Sequence, residues 1–479
     1  MSKISQFRLL SLMRVSLPFF LAMASSQALA APNILLIFAD DLGVETLASF
    51  GGESYQTPAL DRLAAQGMRF ENAHAMPLCT PSRVMLLTGK DSWRNYTDFG
   101  YLAPGETTFA HMLRAQGYRT MAAGKWQLVS NKYQQLKGST PSAAGFDEYA
   151  MWQIAAREGE TDRYWGSEIE IDGELVASGN TDYAPDQYVS SLSRFIEKSS
   201  ESSQPFLAYY SMILPHRPFS ATPDHKRSAE LQEDFAAMVS YMDHLVGRLL
   251  EVLDNSGVAD NTVVLFIGDN GTDRKISSRR LGVVVPGGKG QTLQTSTHVP
   301  FILRWPGHVT PGSTRDELVY IADVLPSLAE IANSAGDMPV AILPKNTDGR
   351  SLVPLLSSGD TARWRDSLFI HYDPRWSDNQ PARYAFDTRW KLYEDGRFFR
   401  IESDVLEKNP IPTTDLSQEG RSAKERLQRR LDEAGGELSG VMSPQSNYRR
   451  SRDIRRTVIV IAIVAAWLGW RRFRKSVIS

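Results

Sequence analysis

Two runs constrain the fold of this chain more than any others: NILLIFAD at 33–40 and TVVLFIGDN at 262–270. Each is a continuous apolar stretch of strand length that ends abruptly in acidic or amide side chains. A strand with no polar position has to be covered on both faces, which calls for helices on either side of a sheet. YRTMAAGKW (118–126), PFLAYYSMI (205–213) and VPFILRWP (299–306) read as further buried strands. Helical patterns separate them. TPALDRLAAQG (57–67) has Thr57 as N-cap, Pro58 in the first turn and Gly67 at its end, and TTFAHMLRAQG (107–117) repeats that design. From Glu233 to Asn255 the residues Phe235, Met238, Met242, Leu245 and Leu249 keep helical spacing, and Gly257 stops the run. ADVLPSLAEIANSAG (322–336) is another helix. The alternation predicts an α/β fold, with a large, mostly parallel (mixed) sheet sandwiched by helices.

Beyond about residue 365 the pattern changes. SLFIHYDP, RYAFDTRWKLYED and RFFRIESD read as short antiparallel strands, with one helix over 421–434. The chain therefore divides into a leader (1–30), a main α/β domain (31–360), a smaller C-terminal antiparallel sheet plus helix subdomain (361–435), a basic linker (436–456) and an apolar tail (457–479). Lys3, Arg8 and Arg14 precede the apolar run VSLPFFLAMA, and Ala28-Leu29-Ala30 has the form of a cleavage site, so the leader reads as a signal peptide. The body is expected to be exported, to the periplasm or the extracellular face, where a single cysteine makes no internal disulfide. The tail segment TVIVIAIVAAWLGW has arginine clusters on both sides. As a helix it reaches roughly 21 Å against a hydrocarbon core of about 30 Å. Arginine stems extend that reach, and Trp467 and Trp470 suit an interface, so membrane attachment is expected. The sequence leaves open whether the segment spans, lies on the membrane or is processed. With 53 Lys and Arg against 55 Asp and Glu, no basic excess points to nucleic acid.

Chemistry gathers at the strand ends, where open α/β sheets build their sites. Asp40-Asp41 ends the first run and Asp269-Asn270 the second, and together they form a hard-oxygen set suited to Ca²⁺ or Mg²⁺. Lys125, His216 and Lys289 stand at similar boundaries. With a divalent cation and Arg83, they can surround a tetrahedral anion such as sulfate or phosphate.

These motifs, in their order, resemble the formylglycine-dependent sulfatases of the alkaline phosphatase superfamily. The matching stretches are FADDLG (38–43), CTPSRVMLLTG (79–89), GKWQL (124–128), PHRPF (215–219), GDNGT (268–272), GGKG (287–290) and THVPFILRWPG (297–307). The resemblance implies that Cys79, the only cysteine, is oxidised to Cα-formylglycine by a formylglycine-generating or sulfatase-maturating enzyme. The hydrated aldehyde would attack the sulfur of a sulfate ester. Asp40, Asp41, Asp269, Asn270 and residue 79 would hold Ca²⁺, with Mg²⁺ as the alternative. Arg83 would hold the hydrate, Lys125 and Lys289 would neutralise the sulfate, and His216 would serve the leaving oxygen. Two positions depart from the family pattern. Gln127 stands where many sulfatases place a histidine base, and His298, in QTSTHVP, stands where an arginine is commoner. Gln127 is taken as a substrate-binding candidate, and so is His298, with a structural histidine as the competing reading; the base role passes to Asp269 or a water. The expected function is hydrolysis of a carbohydrate or aryl sulfate ester. The alternatives are a phosphonate monoester or phosphodiester hydrolase, and a non-catalytic sulfated-glycan-binding protein. Trp93, Arg94, Tyr96, Trp126, Trp152 and Trp165 are candidates for stacking on a sugar, with core packing as the competing reading.

Overall fold

The computed structural model describes residues 31–129, 137–152, 154, 163–202, 204–334, 340–357, 364–375 and 379–439. The leader and the apolar tail lie outside the described residues. Among the described residues no helix is long and apolar enough to cross a membrane.

The first strand, β1 (Asn33–Ala39), shows why its sequence has no polar position. Ile34, Leu36 and Phe38 enter one core, while Leu35, Ile37 and Ala39 enter another. In chain order there follow β2 (Met68–His74), β3 (Arg119–Lys125), β4 (Glu148–Trp152), β5 (Glu168–Ile171), β6 (Glu174–Ala177), β7 (Phe206–Ser211), β8 (Thr262–Gly268), β9 (Ser277–Arg280), β10 (Val283–Pro286), β11 (Phe301–Arg304) and β12 (Ser313–Tyr320). All but β9 and β10 form a ten-stranded sheet in the order β12-β2-β11-β8-β1-β7-β3-β4-β5-β6. β1 runs parallel to β7 and β8, β3 parallel to β7 and β4, and β12 parallel to β2. β11 is antiparallel to β8 and β2, and β5 is antiparallel to β4 and β6. The reversal of β11 has a simple cause. The segment from β8 to β11 holds only the β9–β10 hairpin and the short helix Gln294–Thr297, so the chain turns back without a crossover.

Helices cover both faces as the apolar runs require. Pro58–Gln66, Ala184–Ser200 and Leu231–Asn255 pack on the side of Leu35 and Ile37. Cys79–Thr88, Phe109–Ala115 and Val324–Ala332 pack on the side of Leu36 and Phe38. One cap differs from expectation. Thr57 occupies the N-cap of Pro58–Gln66, but its hydroxyl makes no cap bond. The backbone amides of Ala59 and Leu60 instead donate to the Asp243 carboxylate of the long helix, at 3.0 and 2.8 Å. A tertiary carboxylate thus does the work of the local hydroxyl.

The C-terminal strands β13 (Leu368–Tyr372), β14 (Ala382–Phe386), β15 (Lys391–Tyr393) and β16 (Phe398–Phe399) form an antiparallel sheet, packed with the helix Gln418–Ser439. This sheet grips the loop at 290–292. The Tyr372 hydroxyl donates to Gly290 O at 3.0 Å, and the Tyr393 hydroxyl to Thr292 Oγ1 at 2.9 Å. Lys391 Nζ donates to Thr292 O and, at 2.8 Å, to Glu407 Oε1. The loop so held carries Lys289.

Candidate active site

β1 and β8 are neighbours in register, with Ala39 opposite Gly268, so the two acidic strand ends emerge side by side. Asp41 takes a left-handed backbone conformation, φ +65°, which breaks the strand alternation just after Asp40. Its amide then donates to Asp269 Oδ1 at 2.9 Å, and Asn270 Nδ2 donates to Asp41 Oδ1 at 2.9 Å. Gly271 is needed to close this corner, because a Cβ there would sit 1.8 Å from the Thr295 carbonyl oxygen.

Three cations meet these carboxylates. Lys125, at the end of β3, donates to Asp40 Oδ2 at 2.7 Å, and both side chains are 0% exposed. Gly124 makes that approach feasible, since it has φ +103° and a Cβ would lie 2.0 Å from Ser211 O. Lys289 Nζ donates to Asp41 Oδ2 at 2.6 Å. Arg83 Nη2 is 3.4 Å from Asp269 Oδ2 and 3.8 Å from Asp40 Oδ2. Arg83 stands four residues after Cys79 on the same helix face. Cys79 is the first residue of Cys79–Thr88 and is 2% exposed. Its sulfur and one oxygen each of Asp40 and Asp269 lie within 4.8 Å of one another. The helix start adds a partial positive charge at residue 79. His216, beyond β7, places Nε2 at 3.7 Å from Asp41 Oδ2, while its Nδ1 meets Arg163 Nη1 and the Arg217 carbonyl.

Electrostatics follow from this crowding. Burial works against the charged form of Asp40, yet Lys125, His216, Arg83 and Lys289 outweigh it and hold the carboxyl well below its ordinary value. Asp269 moves the other way, pushed well up by burial and by the Asp40 charge, and burial also raises Asp41. The three carboxylates are matched in number by the three cations, so the case for a metal rests on their oxygens rather than on net charge. Two buried oxygens, Asp40 Oδ1 and Asn270 Oδ1, have no hydrogen-bond partner among the described residues. Orphaned acceptors of this kind, in an all-oxygen set, are the donor chemistry of a hard divalent cation. The residues therefore fit the expected metal. Burial, then the charges of Arg163 and Lys289, drives the His216 pKa well below its ordinary value, so the ring is neutral at pH 7.

Residues 32–334 match the Sulfatase family, and residues 289–431 match the N-sulphoglucosamine sulphohydrolase C-terminal family. Human arylsulfatase A is 32% identical over 400 residues, covering 77% of this chain and 76% of the relative. The chain belongs to the sulfatase family. It is a hydrolase of sulfate esters, in the alkaline phosphatase superfamily. Among solved structures, a protein crystallised with its substrate D-glucosamine-2-N,6-O-disulfate aligns with a TM-score of 0.69 and 20% identity, covering 86% of this chain and 99% of its own. The phosphonate monoester hydrolase of Agrobacterium radiobacter aligns with a TM-score of 0.61 and 20% identity, over 85% and 96% of the two chains. At those identities the structural likenesses speak for the fold alone.

Within this sulfatase the ten other expected site residues do not all join Cys79. Asp40, Asp41, Arg83, Lys125, His216, Asp269, Asn270 and Lys289 form one cluster with it. Gln127 lies just past Lys125, half-buried, with a left-handed backbone at φ +52°. A glutamine held there carries backbone strain of the kind that collects at functional sites. His298 stands apart from the cluster and takes the structural reading. Its Nε2 donates to Glu71 O at 2.8 Å, and its ring stacks on His74 at 5.3 Å between centroids, so it braces β2 rather than the anion site. Most of the aromatic candidates are engaged in packing. Trp126 Nε1 donates to Ser139 O, Trp165 Nε1 to Ala221 O and the Tyr96 hydroxyl to Pro374 O. Trp93 belongs to the C-terminal core, with Arg94 over its ring at 3.8 Å. Arg163, which no motif marked, lies over the Trp152 ring at 4.7 Å and touches His216.

The bracing role of His298 has a measurable sign. Burial and the Arg280 charge lower its pKa to about 4 in the folded protein. The unfolded value is about 6.5. Between those values the unfolded chain binds the extra proton, so His298 contributes stability that is complete above pH 6.5 and lost as pH falls toward 4. The loss is about 1.4 kcal/mol per pH unit for such a group. His298→Gln should flatten the dependence of unfolding free energy on pH by about that slope, read from denaturant titrations across the window. An unchanged slope would show that His298 is not held neutral.

Proposed function

We propose that this sulfatase is an exported enzyme acting on carbohydrate sulfate esters, with Cα-formylglycine at position 79 and a divalent cation, Ca²⁺ by the family resemblance. The observation that carries the reading is the setting of Cys79. A lone thiol sits buried at a helix start, beside Asp40 and Asp269 and on the same helix face as Arg83. A structural cysteine has no need of such neighbours. When present, the aldehyde hydrate supplies an oxygen nucleophile, and the cation held by Asp40, Asp41, Asp269 and Asn270 supplies positive charge and lowers the pKa of an oxygen bound to it.

The chain's own residues do the rest. Arg83 is anchored by Ser211 Oγ and by the carbonyls of Lys125 and Met212, so its guanidinium holds residue 79 and Asp269 in fixed relation. Lys125, at the end of β3, and Lys289, from the loop after β10, bind the sulfate oxygens, where negative charge grows during S–O cleavage. Neutral His216 offers a ring nitrogen to the ester oxygen as it leaves. Gln127, unable to take a proton at neutral pH, binds through its amide. The base of the closing step is Asp269 or a water beside it. Burial of the whole set excludes water and strengthens each charge contact.

A peptide mass spectrum of protein from its native host tests this reading. Trypsin releases Phe70–Arg83, which carries position 79. The expected result is a fraction with the thiol replaced by aldehyde or its hydrate. Wholly unmodified cysteine in protein that turns over sulfate esters would remove formylglycine from the mechanism. Rates on an aryl sulfate and an aryl phosphonate then separate sulfur from phosphorus chemistry, with the sulfate expected to be the faster.

A further inference from the structure

The C-terminal sheet buries a charge where an apolar side chain would pack. In β15 the strand alternation sends Leu392 into the core under the helix Gln418–Ser439, and sends Lys391 and Tyr393 to the other face, toward the main domain. Lys391 is 2% exposed, and its Nζ lies 4.0 Å from the centre of the Tyr384 ring. Glu407 reaches it from a left-handed backbone, φ +51°. Its Oε1 accepts from Lys391 Nζ at 2.8 Å and its Oε2 from the Tyr393 hydroxyl at 2.5 Å. A buried ion pair is a poor source of stability, since apolar residues of similar volume often do as well or better. This pair has a second use, because Lys391 Nζ also donates to Thr292 O.

Thr292 ends a short loop that is bound to the site at each step. The Lys289 amide donates to Thr272 O at 3.1 Å, and the Gly290 amide to Pro77 O at 2.7 Å, two residues before Cys79. The Lys289 ammonium then meets Asp41 Oδ2 at 2.6 Å. A lysine carries its charge on a flexible four-carbon stem, so its placement depends on how firmly its backbone is held. We propose that Lys391 and Glu407 are positioning residues of the sulfatase reaction, which fix the loop at 289–292 and through it the Lys289 ammonium at the sulfate. The proposal rests on the role given to Lys289 above, and makes the C-terminal subdomain part of the catalytic machinery.

The test is a double-mutant cycle, with full-length variants made in the native host and assayed on an aryl sulfate. Lys391→Met is expected to lower kcat/KM roughly 10²-fold, the cost of a catalytic group misplaced by about 1 Å. In a Lys289→Met background the same change should cost less than about threefold, because no ammonium is left to misplace. Tyr393→Phe removes a hydroxyl from Thr292 and Glu407 and keeps the ring. It should show the same coupling on a smaller scale, and it serves in place of Lys391→Met if that variant folds poorly. Leu427→Ala opens a cavity in the core on the opposite face of the sheet, so it should lower the denaturation midpoint and leave kcat/KM unchanged. Amide exchange should quicken at Lys289 and Gly290 in Lys391→Met. That measurement needs no turnover, so a silent aryl sulfate assay would count against the sulfatase reading while exchange still judged the anchor. Equal losses in the two backgrounds, a loss in Leu427→Ala as large as that in Lys391→Met, or unchanged exchange at 289–290 overturns the proposal.

Discussion

Replacing Cys79 with alanine is expected to abolish sulfate-ester turnover and leave the fold in place. The structural cost is small. The change removes one sulfur atom from a helix start whose backbone alanine adopts freely, and should destabilise by about 1 kcal/mol. The catalytic cost is large because nothing nearby can substitute. The Ser82 hydroxyl is engaged with the backbone of Met76, and Thr80 Oγ1 accepts from the Gly100 amide. Loss of a covalent nucleophile of this kind costs on the order of 10⁴ or more in kcat. Lys125 and Lys289 stay in place, so the variant should still bind sulfated ligands, measured by calorimetry beside the rate assay. Residual turnover within tenfold of the original enzyme would place the nucleophile at another residue.

The sequence showed the site more fully than the sheet around it, for physical reasons. β1 and β8 were legible because burial on both faces leaves no polar position, and their acidic ends mark where burial stops. β2, MRFENAH, was not. It has Met68, Phe70, Ala73 and His74 facing inward and polar side chains between them, and its partner β12 is largely polar as far as Glu317. Strands of this mixed composition look like loops until the pairing is known. The helix Ala184–Ser200 carries Tyr188, Val189, Leu192, Phe195 and Ile196 at helical spacing, but serines dilute the pattern. The acidic pairs, the lysines and Arg83 were legible because each sits in a short motif, the acidic pairs and Lys125 at strand ends. Arg163 was not, since its contacts with the Trp152 ring and His216 belong to no local motif. His298 shows the converse. A position inside a motif suggested the site, while a carbonyl of β2 and the His74 ring hold the side chain elsewhere. The hold of the C-terminal sheet on the Lys289 loop, through Tyr372, Lys391 and Tyr393, could be read only from the fold.

Lys125→Met should separate the structural from the catalytic role of the buried cations, and its effect should depend on metal. Lys125 and Asp40 are both fully buried and 2.7 Å apart. Removing the ammonium leaves Asp40 Oδ2 with Arg83, at 3.8 Å, as its one ion pair among the described residues, where Oδ1 has no hydrogen-bond partner either. Breaking one side of a buried pair costs about 3–5 kcal/mol. A divalent cation on Asp40 compensates the orphaned charge, so the loss should be largest after chelation and smaller in the loaded protein. The difference in denaturation midpoint between Lys125→Met and the original protein is therefore expected to widen when a chelator is added. The pH dependence carries the same sign. Asp40 owes its low pKa in part to Lys125, so its contribution is present at neutral pH and lost as pH falls through the folded value. The gap between the two proteins should close on acidification, because protonated Asp40 has no use for the ammonium. Turnover in the loaded variant should fall by about 10²–10³, the usual effect of removing one preorganised charge contact from a developing anion. Equal midpoints in the presence of chelator would mean that Asp40 is not ionised in the metal-free protein. A fall in stability without a fall in turnover would confine Lys125 to balancing Asp40, and leave Lys289 as the cation that meets the sulfate.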